Sequence, residues 1–369
     1  MRATQQLHEL GQSLWLDHIT RDLLNSGTLK HYIEEWSVTG VTSDLTAFAH
    51  AIGNSTAYDA AIRNKIKGEK LGEDLFFELA IEDLCHAADL LRPIYDQTDS
   101  VNGWVSLGVS PLLTQDSASI LAAAKDLYFR ARRPNFFITI PGSAEGLSAV
   151  EEAIAAGVPI NVTLMFSREQ YLTAAEAFLH GIERRIANGL SPNVASIASL
   201  SIGQWDEAVT GKVPEPLCNR LGIAIARRTY KAYREFLGSR RWQRAFNAGA
   251  RPQRLLWTDT GAKSPDIPNV FYIKSLAAPL TINAMSSGTL QAFADRSDFG
   301  ELMPVDGGDC ETLLDRFAQA GIDIENLATQ LQNEEADALV KSWFELMTAI
   351  ASKSAALTQG HYYDAVGGY

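Results

Sequence analysis

The chain has 369 residues, 46% of them apolar and 21% charged, with a formal net charge of −12. That length holds two average domains or one large α/β barrel with extra helices. The acidic balance argues against a nucleic-acid binder, and no apolar run approaches the roughly 20 residues of a membrane span. Cys85, Cys218 and Cys310 lie far apart with no metal-like spacing, as expected of reduced thiols in a cytoplasmic protein. The first residues, MRATQQLHELGQSLWLD, lack the apolar core of a signal peptide. A small-molecule substrate is the expected partner, with no nucleic acid and no membrane. Composition leaves the oligomeric state open.

In chain order, short apolar runs predict strands at 13–19, 38–44, 103–110, 135–141, 159–167, 194–202, 254–260 and 280–285. Amphipathic stretches such as SAEGLSAVEEAIAAG and EQYLTAAEAFLHGIERRIANG lie between them, each ending near a glycine. Eight such alternations predict one domain over 1–369, a closed (β/α)8 TIM barrel. A doubly wound sheet is the competing arrangement, but no G-x-G-x-x-G follows the first strand. Segment 68–98 reads as a helical insertion after strand two. Residues 309–357 read as C-terminal helices packed outside the barrel.

Reactive groups of such barrels sit at the C-terminal ends of strands. That rule selects Asp17, Thr42, Asp44, Gly108, Ser110, Thr139, Asn161, Thr163, Ser199, Gln204, Asp259 and Asn283. Each also has a bland reading, as a polar residue of the barrel rim bonded to a loop.

Several segments carry a resemblance. SLWLDHITRDLLNSGTL, VTGVTSDLT, RPNFFITIPGSAEGLSAVEEAIAAGVPINVTLMFS and RPQRLLWTDTGAKSP resemble transaldolases, which share the class I aldolase type of barrel, in order and with similar spacing. The resemblance implies transfer of a dihydroxyacetone unit between sugar phosphates, through a lysine Schiff base and without cofactor. It places Asp17, Thr42, Asn161, Thr163, Ser199 and Lys263 at family site positions.

Other positions depart from the family pattern. The Schiff-base lysine position holds Thr139, the glutamate position Gly108 and the arginine position Gln204. Asp44 stands where the family has asparagine, Asp259 where it has a small hydroxyl, and Ser201 where it has an aromatic. A threonine has no nitrogen with which to form an imine. The mouth also becomes more negative, which disfavours a phosphate dianion.

These departures point to an enzyme that has left Schiff-base sugar-phosphate chemistry. Asp17, Asp44 and Asp259 would do acid/base work on a non-phosphorylated substrate, such as cyclisation, isomerisation, dehydration or elimination in specialised metabolism. Thr42, Thr139, Asn161, Thr163, Ser199, Ser201, Gln204 and Lys263 would bind that substrate. No cofactor is expected, with Mg²⁺ on the carboxylates as a minor option. Two alternatives stand beside this reading: a catalytically silent ligand-binding homologue, and a transaldolase of the pentose phosphate pathway.

Overall fold

The computed structural model describes residues 1–262 and 267–366, with side chains through residue 358. Eight parallel strands close into a barrel in sequence order. They are β1 (Ser13–Leu16), β2 (Val38–Thr42), β3 (Trp104–Gly108), β4 (Phe136–Pro141), β5 (Ile160–Met165), β6 (Ser196–Ser201), β7 (Gln253–Thr258) and β8 (Thr281–Met285). Helices alternate with the strands around the outside, so the fold is a TIM barrel. Closure pairs β1 with β8, with Ser13 opposite Ile282 and Leu16 opposite Met285.

Both faces of each strand are covered, which explains the nearly continuous apolar runs. Val105, Ile138, Ile140, Val162, Ala198, Leu200, Leu255 and Trp257 point outward into the main core beneath the helices. The inward faces differ with height. At the level of the strand starts, Trp15, Trp104, Phe137, Ile197, Leu256 and Ile282 form a separate apolar cluster inside the barrel. Two residues further along the same strands come Ser106, Thr139, Ser199 and Thr258, on the same face because side chains alternate with period two. Gly40 of β2 is fixed by this packing, since a Cβ there would lie 2.2 Å from the Trp15 ring.

Helix Gly72–Gln97 fills most of the 68–98 segment and connects β2 to β3. The tail forms helix Cys310–Gln319 and a long helix, Ile324–Val366. The long helix packs along Leu45–Asn54 and Gly72–Gln97. Trp343 is its anchor, buried with its ring 5.4 Å from Phe76 and 5.8 Å from Phe77. The part of this helix before Trp343 does not stay at the side of the barrel; it passes over the C-terminal mouth.

Candidate active site at the barrel mouth

A cavity of about 580 Å³ opens at the C-terminal ends of the strands. Thr42, Asp44, Gly108, Thr139, Asn161, Thr163 and Ser199, all singled out from the sequence, line it. Its floor is a chain of neutral hydrogen bonds running across four strands. Thr139 Oγ1 lies 2.6 Å from Ser106 Oγ, and Asn161 Nδ2 donates to both hydroxyls at 3.3 Å. Ser199 Oγ donates to Asn161 Oδ1 at 2.7 Å. Asn161 is thus the hub, with its amide used on both sides. Ser106 was missed from the sequence because the strand-end rule looks one layer too high; its signal is the two-residue spacing to Gly108.

Gly108 leaves a gap in the wall. A Cβ there would meet nothing within 4 Å, so space is present beside Thr139 where a larger residue would protrude. Ser201 shares the inward face of Ser199 by alternation, but lies above the hydrogen-bond chain and does not line the cavity.

The long helix supplies the roof through Asn333, Glu335, Asp337 and Val340. Gln332 Nε2 donates to the Leu164 carbonyl at 2.7 Å and the Gly142 carbonyl at 3.3 Å, beyond β4 and within β5. Leu164 has φ +59, a left-handed conformation rare outside glycine. Gln204 also ties to this helix, its Nε2 donating to Glu335 Oε2 at 2.7 Å. Gln204 therefore faces a protein carboxylate. The roof residues had no sequence signal, because nothing in an amphipathic helix says which strand ends it will cross.

The three aspartates follow β1, β2 and β7. Asp17 follows β1 and accepts from His18 Nδ1 at 2.7 Å, while His18 Nε2 is 3.4 Å from Ser287 Oγ. The bond to Asp17 raises the His18 pKa above the ordinary histidine value, against burial. Asp44 caps helix Leu45–Asn54 by accepting from Ala47 N at 2.6 Å. The surrounding mouth wall raises the Asp44 carboxyl above its ordinary value although the residue keeps an open side, and the charge of Asp17 adds to this. Asp259 follows β7 with φ +55. Burial, Asp206 and then the charge of Asp259 push the Tyr272 phenol well above its ordinary value. Asp17 and Asp44 are thus electrostatically coupled. Lys263 lies outside the described residues. Among the described residues, no three His, Cys, Asp or Glu side chains are arranged to hold a metal ion, and no helix is long and apolar enough to cross a membrane.

The family model for transaldolase/fructose-6-phosphate aldolase matches residues 14–350. A transaldolase of Thermobifida fusca is 38% identical over 364 residues, covering 96% of this chain and 99% of that protein. A transaldolase of Saccharopolyspora erythraea is 36% identical, covering 94% and 96%. Transaldolase 2 of Nostoc punctiforme is 31% identical, again covering 94% and 96%. These end-to-end similarities overturn the expectation of a barrel repurposed for carboxylate acid/base work on a non-phosphorylated substrate. The pathway transaldolase, an alternative at the level of sequence, is the better-supported reading. The chain belongs to the transaldolase family.

Proposed function

We propose that this chain is an enzyme of the transaldolase type, transferring a ketose-derived three-carbon unit between sugar phosphates in the mouth cavity. One observation supports it above the rest: relatives named transaldolase align over nearly the whole chain, including the segments that build the mouth. The row Ser106–Thr139–Asn161–Ser199 suits a polyol, because each group can both donate and accept or carries both functions in one amide. Asp17 and Asp44 supply proton-handling groups on the β1–β2 side, and the raised pKa of Asp44 brings it closer to neutrality.

Within this reading Thr139 stands in the place of the imine-forming amine, and none of the described cavity-lining residues is a lysine. Any imine must therefore use an amine from outside β4. In the sequence, Lys263 follows β7 closely and is the first lysine to test. The lack of a lining lysine also favours a second reading, a silent homologue that binds sugar phosphates without turnover.

The test combines transfer from fructose 6-phosphate to an aldose phosphate with borohydride trapping and peptide mapping. Transfer with an adduct on Lys263 identifies the amine. Transfer without an adduct means an enzyme that works without an imine. A protein that binds fructose 6-phosphate but neither transfers nor forms an adduct leaves only the silent reading.

A further inference from the structure

The opposite end of the barrel holds a second cavity, of about 340 Å³, below the inner aromatic cluster. Rings of Trp15, Trp104 and Phe137 form its ceiling, with Trp104 and Phe137 stacked at 4.2 Å. Its floor carries Arg254, the second residue of β7, whose side chain points along the barrel axis with Leu256 and Thr258.

Arg254 is bound entirely by neutral oxygens. Nη1 donates to Val101 O at 3.0 Å and Asn102 Oδ1 at 3.2 Å; Nη2 donates to Ser13 Oγ at 2.7 Å and Thr281 O at 2.8 Å. Nε is buried without an acceptor. Among the described residues no carboxylate pairs with this guanidinium. The one acidic residue of the cavity, Asp99, sits at its rim and pairs with Arg251. His8 also faces the cavity, and burial lowers its pKa. Enclosure lowers the Arg254 pKa to about 10, so it remains charged near neutrality. An enclosed charge with no counter-ion is unfavourable unless something supplies one. Part of the side chain is still accessible, which gives an incoming anion a route.

We propose that this cavity is a binding site for a small planar aromatic carboxylate, its ring against Trp15 and Trp104 and its carboxylate beside Arg254. The volume is at the small end for ligand pockets, which run from about 300 to 1,000 Å³, and so fits one or two fused rings. Aromatic walls favour a flat ring; the Nη hydrogens of Arg254 are already taken by neutral oxygens, so the carboxylate would act chiefly as the missing counter-charge. The site is separate from the mouth and does not depend on the transfer reaction.

The experiment measures thermal stability and tryptophan fluorescence of the full chain against benzoate, indole-3-carboxylate and uncharged benzamide. The carboxylates should raise the melting temperature saturably and change the fluorescence, with benzamide at least tenfold weaker. Arg254→Met should abolish the response, and Ala195→Phe should block it by filling the cavity with Arg254 intact. Should Arg254→Met not fold, Ala195→Phe decides alone. Equal binding of benzamide, survival of the response in Ala195→Phe, or no saturable response at millimolar carboxylate would each overturn the proposal.

Discussion

The two ends of the barrel interior use the same strands for opposite purposes. At the strand starts, rings and branched chains fill the axis so tightly that Gly40 has no room for a Cβ. Toward the strand ends the same faces carry Ser106, Thr139, Asn161 and Ser199, and Gly108 opens onto empty space. The lower layer is held by packing of rings and branched chains; the upper layer is held by hydrogen bonds and lines the mouth cavity. The lesson is that one strand face can serve stability below and chemistry above, with a change of purpose over two residues.

The largest expected effect tests what closes the upper layer. Trp343→Ala removes the roof anchor from Phe76 and Phe77 and should cost about 3–5 kcal/mol in urea unfolding. A cost near zero would mean the roof is not held by this cluster. Gly40→Ala drives a methyl into the Trp15 ring and should cost about 1–3 kcal/mol. Asn161→Leu removes the acceptor of the Ser199 hydroxyl, while Thr139 keeps its bond to Ser106, and should cost about 1–3 kcal/mol for the Ser199 group left unsatisfied. Ligand binding in the mouth should fall with it, and the lower cavity should be unaffected. Gly108→Ala should change stability by less than about 0.5 kcal/mol, as at an open surface position. Equal penalties at Gly40 and Gly108 would break the contrast between the layers.

The smallest effect is a pH dependence. The folded-state pKa of Asp44 is raised, so the folded state holds that proton more tightly than the unfolded chain. Stability from this group is present below the ordinary carboxylate pKa and is lost as pH rises through the raised value. Asp44→Asn keeps a good helix cap and should flatten that part of the unfolding profile. A variant with the same slope as the parent would assign the slope to another group.

Much of this was legible in the sequence. All eight strands appear as apolar runs, and period-two alternation places Phe137, Thr139 and Pro141 on one face before any coordinates are known. The strand-end rule then finds Thr42, Asp44, Asn161 and Ser199 in the cavity. It fails where the cause is not local. Ser106 sits below the strand end, and Glu335 arrives from a helix more than a hundred residues beyond its partner Gln204. The aspartates look equivalent as strand-end letters, yet Asp44 caps a helix and Asp259 leaves β7 in a left-handed conformation. Arg254 is the second residue of β7 and so falls outside a rule that watches only the other end.

The roof helix has one more consequence. Gln332 bonds to carbonyls from two strand ends while its neighbours line the cavity, so helix docking and cavity shape are a single equilibrium. A ligand that fills the mouth then binds only the docked state and draws population toward it by mass action. Deuterium uptake along residues 332–343 would therefore slow in proportion to mouth occupancy, making the amides of this helix a gauge of the site that it roofs.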